Sequence, residues 1–369
     1  MADEFDDTIR KVTPAGVVTT LAGLHGTAGT NDGSGTLARF NDPYAVAVDS
    51  ADNIYVADTV NQTIRIVNSS GQVTTLAGQL GISGTNDSIG SAARFNDPQG
   101  MALDASGNLY IADTGNSTIR ELTLVGTNWT VITLAGVGGS PGASNGNGSS
   151  ARFRSPFGIT VSSAGTVYIA GSGNAAIRTL IPAGTNSMVG TLAGLLGTSG
   201  TNDGTGSGAR FNYPEGIAVD GTGNLYVSDT DNIRIRKVTQ AGVVSTLAGF
   251  TYSYGSGDGT GSAAQFEYPV GITVDSLGNI YVADPENYNI RKGIPATLVP
   301  PPTLQSPMLS AGQFGCDVAG SPGFAVEIQS SSNFINWQLV GTYSLVGGSN
   351  HFANPYPPVV AQFYRGYMR

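Results

Sequence analysis

The sequence has a single cysteine among its 369 residues, Cys316, so no disulfide can form within the chain. It also lacks any run of about 18 apolar residues, and so predicts no membrane-spanning helix. Residues 1–20 have neither the basic start nor the apolar stretch that is typical of a secretory signal peptide. The fold must therefore be stabilised by a core that the chain builds without covalent cross-links.

Charged residues are sparse, at 12% of the chain, and 17 Lys and Arg stand against 26 Asp and Glu, which gives a net charge of −9. Nucleic-acid binders normally carry a surplus of basic side chains that displace phosphate counterions. Most basic residues here recur at two fixed positions of a repeat: Arg10, Arg65, Arg120, Arg178, Arg236 and Arg291 at one, and Arg39, Arg94, Arg152 and Arg210 at the other. The sequence therefore predicts that nucleic acid is not a partner.

Glycine is abundant, with 53 residues, and the chain is strongly self-similar. The stretch 29–78 has a closely similar counterpart at 200–249, which aligns with it without a gap. The repeat is marked by five anchor phenylalanines, which follow one another at intervals of 55, 58, 58 and 55 residues: Phe40, Phe95, Phe153, Phe211 and Phe266. This self-similarity is the strongest signal in the sequence and indicates a repeat protein.

Each repeat contains four short runs rich in β-branched or aromatic residues, as at 45–48, 54–57, 63–67 and 73–77. The first two runs are joined by Asp-x-x-Gly-Asn, as at 104–108, which is the composition of a tight hairpin turn. No segment has a clear 3.6-residue period. Four strands per unit predict the blades of an all-β propeller.

The pattern Pro-x-Gly-Ile-Ala-Val-Asp, Gly-Asn-Leu-Tyr-Val-Ala-Asp and Ile-Arg-Lys-Val resembles the NHL repeat over roughly residues 1–298. The resemblance implies a β-propeller. It leaves function open, because NHL propellers serve as protein-binding, RNA-binding and catalytic domains.

The number of blades has two interpretations. Residues 2–10 align without a gap with residues 57–65, so the chain begins in the middle of a repeat, and six blade positions result if the first is incomplete. Alternatively, the strand at 17–21 completes the last of five blades. Six is the favoured number, with the expectation that the natural protein continues upstream, where an export signal could lie.

The chain after the repeats has a different composition. A proline-rich linker is predicted at 299–307, following a propeller at 1–298, and three strand-like segments lie within 308–369. The last region resembles a small β-sandwich-like module that ends many secreted proteins of environmental bacteria. That resemblance implies an extracellular or cell-envelope location.

Residues that recur in every repeat are interpreted as structural. The third-strand arginines need partners if they lie between packed blades. The aspartates after the second strand are the candidates: Asp58, Asp113, Asp229 and Asp284. Gly171 replaces this aspartate in one repeat while Arg178 remains, so the pairing cannot be the whole explanation. The Asn-Asp-Gly-x-Gly loops at 31–35 and 202–206 resemble fragments of calcium loops, but they lack the bidentate glutamate and acidic spacing of such loops.

One position varies while its neighbours barely change, namely the residue after the loop proline. It is Tyr44, Gln99, Phe157, Glu215 and Val270 in the five repeats, with Arg154, Tyr213 and Tyr268 beside it. We call the five residues that follow the loop proline the rim residues. The first strand of each blade lines the central channel, and these residues lie where that strand begins. The variation predicts a ligand-binding surface, with solvent-exposed drift as the alternative.

The functional hypothesis is a non-catalytic binding or scaffold propeller that recognises a protein or glycan and needs no cofactor. The alternative is a metal-dependent hydrolase or lyase with a divalent ion at the channel mouth, as in some six-bladed relatives. That alternative needs several converging ligands. The two histidines, His25 and His351, lie outside the repeated pattern, and Glu215 is the only carboxylate among the rim residues. The sequence thus gives no metal site and no nucleophile–histidine arrangement in the blades.

Overall fold

The computed structural model describes residues 1–294, 303–310, 313–319, 325–331, 338–344, 349–353 and 363–368. The chain divides into two compact units, Met1–Lys292 and Gly293–Arg369. Among the described residues, no helix is long and apolar enough to cross a membrane.

The first unit consists of six antiparallel sheets, the blades, in sequence order. Blade 1 contains β1 (Ala2–Asp3), β2 (Thr8–Val12) and β3 (Val18–Gly23). Blade 2 contains β4 (Gly33–Ser34), β5 (Pro43–Val48), β6 (Ile54–Asp58), β7 (Thr63–Val67) and β8 (Gln72–Ala77). Blade 3 contains β9 (Ser88–Ile89), β10 (Pro98–Leu103), β11 (Leu109–Asp113), β12 (Thr118–Val125) and β13 (Asn128–Ala135).

Blades 4 and 5 repeat the five-stranded plan of blades 2 and 3, and three strands of blade 6 are described. Blade 4 contains β14 (Gly146–Asn147), β15 (Pro156–Val161), β16 (Val167–Gly171), β17 (Ala176–Ile181) and β18 (Met188–Ala193). Blade 5 contains β19 (Gly204–Thr205), β20 (Pro214–Val219), β21 (Leu225–Asp229), β22 (Arg234–Val238) and β23 (Val243–Ala248). Blade 6 contains β24 (Ile272–Val274), β25 (Ile280–Asp284) and β26 (Asn289–Gly293). Short 3₁₀ helices lie at Gly35–Leu37, Gly90–Ala92, Thr114–Asn116, Gly148–Ser150, Ser172–Asn174, Gly206–Gly208, Thr230–Asn232, Gly261–Ala263 and Pro285–Asn287.

This topology confirms the six-bladed propeller. The strands β2 and β3 form their own sheet with β1 and do not complete the last blade, so the five-blade alternative is wrong. In each of blades 2 to 5, four strands follow one another as a meander, and a fifth strand of two residues pairs with the outermost one. In blades 2 and 5 that short strand comes from the Asn-Asp-Gly-x-Gly loop, as in the pair Gly33 and Val73, and in blades 3 and 4 it comes from the equivalent loop. The four runs per repeat predict a fourth strand of the last blade at 296–299, which lies outside the described residues.

The anchor phenylalanines hold neighbouring blades together. Phe95 is fully buried and packs with Ile64 and Ala77 of blade 2 and with Ile111 and Leu122 of blade 3. Equivalent clusters surround each of the other anchors. A fully buried phenylalanine contributes roughly 1.5–3 kcal/mol of hydrophobic stabilisation, so the repeat of 55 to 58 residues is the spacing of these interfaces.

The recurring arginines are structural, as predicted, and they use more partners than the sequence indicated. Arg65 is fully buried and donates to Asp58 Oδ2 at 2.6 Å and to Asp32 Oδ1 at 2.6 Å. It also donates to the carbonyls of Arg39 and Asn31, and its guanidinium lies 5.1 Å from the Phe40 ring centroid. The loop aspartate that resembled part of a calcium site is therefore a partner of a buried cation.

Blade 4 departs from this network. Gly171 and Asn145 occupy the positions of the two aspartates of the Arg65 network. Arg178 instead donates hydrogen bonds to Asn145 Oδ1 at 2.8 Å and to three backbone carbonyls. Burial without a carboxylate partner lowers the pKa of Arg178 to about 10. The arginine still lies 5.1 Å from the ring centroid of Phe153.

The second unit contains two antiparallel three-stranded sheets. One consists of β27 (Thr303–Ser310), β28 (Gln313–Ala319) and β31 (Ser349–Ala353). The other consists of β29 (Ala325–Ser331), β30 (Gln338–Ser344) and β32 (Phe363–Met368). The β-sandwich-like module stays a prediction. Residues 299–302 of the predicted linker lie outside the described residues, and residues 303–307 belong to β27.

Candidate functional site

The rim residues lie at the end of the propeller where each first strand begins and each second strand ends, since Pro43 pairs with Asp58. We call this end the upper face. The loop that leads into the rim is held by the buried aspartate that also accepts from the third-strand arginine, as Asp58 does from Arg65. Asp58 Oδ1 accepts the backbone N–H of Asn41 at 2.8 Å, and Asp113 and Asp229 do the same for Asn96 and Asn212. The network thus also shapes the upper loops.

A hydroxyl group of one blade fixes the loop proline of the next. Thr59 donates to the carbonyl of Pro98 at 2.8 Å, immediately before a rim residue. The same bond is made three more times between successive blades: Thr114 to Pro156, Ser172 to Pro214 and Thr230 to Pro269. Each rim residue after the first is therefore positioned by a backbone contact with the preceding blade.

Glycine after the rim residue lets the inner strands approach closely. A Cβ at Gly100 would overlap with the carbonyl oxygen of Phe157, and one at Gly158 would overlap with that of Glu215. The repeated Pro-x-Gly motif thus has a packing cause, because the backbone of one blade occupies the space where a side chain of its neighbour would be.

Side chains from four blades form contacts at the channel mouth. The rings of Tyr44 in blade 2 and Phe157 in blade 4 meet edge to face, with centroids 5.1 Å apart and an interplanar angle of 82°. Tyr268, which precedes blade 6, donates its hydroxyl to Glu215 Oε1 in blade 5 at 3.3 Å. Phe157 and Glu215 lie on adjacent inner strands, so the two pairs are neighbours.

Glu215 is the most unusual group of this site. Its side chain is only 4% exposed, and among the described residues Oε2 has no hydrogen-bond partner. Burial raises its pKa to about 7, and the negative charges of Asp231 and Glu4 act in the same direction, whereas the hydrogen bond from Tyr268 lowers it. The carboxyl group therefore changes its protonation state near neutral pH.

Glu4 is a member of the site that the sequence analysis missed. It occupies the position of Thr59 in the repeat, and burial raises its pKa, with Asp42 as the second cause. Burial also raises the pKa of Tyr44 strongly, and the charges of Glu215 and Glu4 add to this. The alignment of residues 2–10 with 57–65 was the signal that could have found Glu4.

The other predicted residues surround this centre. Gln99 and Val270 are half-buried at the equivalent positions, Arg154 is exposed, and Tyr213 is 38% exposed. Tyr213 has φ +51°, in the left-handed region that aromatic residues rarely adopt. The structure thus brings Tyr44, Phe157, Glu215 and Tyr268 together, and their role in binding stays a prediction.

A metal centre would need converging ligands, and in the part of the chain that the structure describes no three His, Cys, Asp or Glu side chains come close enough to form one. His25 pairs instead with Asp6, at 2.9 Å, on an exposed part of blade 1.

The NHL repeat family model matches residues 95–122, 211–238 and 266–292, each running from an anchor phenylalanine to the third strand. The chain is an NHL-repeat β-propeller. Human NHL repeat-containing protein 2 is 29% identical over 287 residues, which are 69% of this chain and 39% of that protein. The Arabidopsis thaliana protein SUPPRESSOR OF QUENCHING 1, chloroplastic, is 31% identical over 287 residues, which are 73% of this chain and 26% of that protein.

The NHL chain thus spans well under half the length of these two curated relatives. Among solved structures, it is similar to an auxiliary nutrient binding protein from Bacteroides ovatus, with a TM-score of 0.57 and 18% identity. The likeness covers 78% of this chain and 64% of that one. At this identity the likeness concerns the fold.

Proposed function

We propose that the propeller is a binding module that recognises a protein or glycan partner through its upper face, at the channel mouth. The observation that carries the proposal is the convergence of upper-face side chains from separate blades, Tyr44 with Phe157 and Tyr268 with Glu215. Binding sites of propellers and barrels are commonly concave and apolar, with a few polar groups that orient the ligand. Two rings beside one buried carboxyl fit that description.

The way in which the rim is held also supports binding. The fixed contacts of the rim are made by main-chain atoms, such as the carbonyl of Pro98 and the backbone N–H of Asn96. The backbone of the rim is therefore held without the rim side chains, and a preorganised surface binds at a lower entropic cost. An extracellular or cell-envelope location is part of this proposal, supported by the resemblance of residues 308–369 to a module of secreted proteins.

The proposal is tested by screening the purified chain on glycan and peptide arrays and measuring the affinity of the ligands found. The triple variant Tyr44→Ala, Phe157→Ala and Glu215→Gln is expected to lose binding. The matched control is Leu277→Ala, which removes an apolar side chain that is 70% exposed in the turn between β24 and β25, at the opposite end of the channel. Unchanged affinity in a triple variant with a wild-type circular dichroism spectrum would contradict the proposal.

A further inference from the structure

The carboxyl group of Glu215 is buried, and one of its two oxygen atoms has no hydrogen-bond partner among the described residues. Oε1 accepts from Tyr268, but Oε2 finds no partner among the described residues, although the side chain is 4% exposed. An unsatisfied buried polar group is costly, by an amount comparable to a lost hydrogen bond or more. In its ionised form the carboxylate only accepts hydrogen bonds, so the partner that this form of Glu215 lacks is a donor.

The charges around this oxygen determine which donor fits. The charged groups that act on Glu215 are Glu4 and Asp231, and both are acidic. An anionic ligand would add a further negative charge to the mouth. A cationic ligand would neutralise part of it and would favour the ionised form of Glu215.

The aromatic rings favour the same ligand. Tyr44 and Phe157 meet beside the inner strand that carries Glu215, and a ring face attracts a cation within about 6 Å of its centroid. The interior of the blades contains the same combination. The guanidinium of Arg65 lies 5.1 Å from the ring centroid of Phe40 and donates to the buried carboxylate of Asp58. The channel mouth has the rings and the carboxyl group of that arrangement.

We propose that the channel mouth is a subsite for an organic cation, an ammonium or guanidinium group, which donates to Glu215 Oε2 beside the rings of Tyr44 and Phe157. This inference rests on the proposed binding function and names the chemistry of the ligand. The cation comes either from a small amine or from a lysine or arginine side chain of a protein partner.

The proposal predicts a link between binding and pH. The cation binds the ionised form of Glu215, whose pKa burial raises to about 7. Affinity is therefore expected to rise roughly tenfold between about pH 6 and about pH 8, because the ionised fraction grows by that factor. The titratable groups that face Glu215 are Tyr44, Tyr213, Tyr268, Glu4 and Asp231.

The experiment uses titration calorimetry of the full chain with four probes at constant ionic strength. Butylammonium and its neutral analogue n-butanol represent the small amine, and Nα-acetyl-lysine methylamide and its norleucine analogue represent the protein side chain. The cations are expected to bind and the neutral analogues are not. Glu215→Gln is expected to weaken cation binding roughly 10- to 100-fold and to abolish its pH dependence. The cation that binds with the higher affinity shows whether the natural ligand is a small amine or a side chain of a protein partner.

Glu286→Gln is the matched control, because it removes an exposed carboxylate from the loop that follows β25 on the same face. It is expected to change affinity by less than about twofold. Tyr268→Phe keeps the carboxyl group but removes the hydroxyl that lowers its pKa, so the pH midpoint of binding is expected to move upward. This variant keeps the test sharp if Glu215→Gln fails to fold.

Equal binding of cations and neutral analogues, or no binding of either cation at millimolar concentration, would overturn the inference. If the arrays yield a neutral glycan whose binding depends on Tyr44 and Phe157 while the cations do not bind, the proposed function stands and only the cation subsite is lost.

Discussion

The buried arginine of blade 4 offers the sharpest test of how this fold is held together. Arg178 is fully buried, yet its guanidinium meets the amide oxygen of Asn145 at 2.8 Å instead of a carboxylate. The substitution Asn145→Asp is isosteric and restores the loop aspartate of four other blades. These aspartates are Asp32, Asp87, Asp203 and Asp258.

The expected gain can be worked out from blade 2. There Asp32 Oδ1 accepts from Arg65, and Oδ2 accepts the backbone N–H of Thr75 at 3.0 Å, which the amide nitrogen of Asn145 cannot do. Hydrogen bonds to charged groups exceed neutral ones by about 1 kcal/mol. The Asp32 side chain is 43% exposed, so desolvation is modest and solvent screens part of the attraction. We expect the free energy of unfolding to rise by about 1 kcal/mol, and Tm by about 2 °C.

Urea denaturation and thermal melts measure this difference at neutral and acidic pH. In blade 5, burial acts to raise the pKa of Asp203, but its hydrogen bonds with Thr246 and the charge of Arg236 outweigh burial and lower it. A new aspartate in blade 4 is expected to behave alike. Its stabilisation is then present above the unfolded pKa of about 4 and is lost as the pH falls through the lower folded value.

Asn147→Asp is the matched control, because it adds the same charge at an exposed position of β14, two residues away from the arginine contact. It is expected to leave stability within about 0.5 kcal/mol of wild type. If Asn145→Asp raises the free energy of unfolding no more than this control does, a carboxylate partner does not stabilise the buried guanidinium. The interpretation that the loop aspartates stabilise the fold through the arginines would then be wrong.

Three further substitutions test other contacts by urea denaturation. Arg120→Met leaves the buried carboxylate of Asp113 without its cation and should cost about 3–5 kcal/mol, and a loss below about 1 kcal/mol would contradict the network. Gly158→Ala should cost about 1–3 kcal/mol, because its Cβ overlaps with the next blade, whereas Gly221→Ala, in open space, should be neutral within about 0.5 kcal/mol. Thr230→Val removes the hydroxyl bond to the following blade and should cost about 1 kcal/mol, and an unchanged midpoint would show that this bond does not contribute.

The architecture could be predicted because it follows from repetition. A buried phenylalanine, an arginine and an aspartate that return together imply identical units that bury their faces against one another. The prediction of six blades instead of five depended on a single alignment, that of residues 2–10 with residues 57–65. The separate sheet formed by β1, β2 and β3 confirms the six-blade count.

The second aspartate of the arginine network escaped prediction for a physical reason. Asp32 and Arg65 are 33 residues apart, and the loop that carries Asp32 pairs with the outer strand of its own blade, as Gly33 does with Val73. The sequence shows an acid in a glycine-rich loop, which is compatible with a metal ligand and with an ion pair. Only the position of the loop along the outer edge distinguishes the two.

The contacts at the channel mouth were beyond sequence reasoning in a different way. Variation identified the rim positions, but Tyr44 contacts Phe157 across blade 3 and not a residue of the adjoining blade. Such a contact depends on the width of the channel and on side-chain rotamers, which no spacing encodes. The orphan oxygen of Glu215 likewise becomes visible only when its neighbours are in place.

The scaffold does not account for an acid at the channel mouth. The rim backbone is held by carbonyl, amide and glycine contacts that use no rim side chain, and the same frame accommodates Gln99 and Val270 at equivalent positions. A buried carboxyl group with an unmade hydrogen bond lowers the stability of the folded state. Since the frame tolerates an apolar or amide side chain there, the chemistry of Glu215 is better explained by a ligand that completes its hydrogen bonds than by the fold.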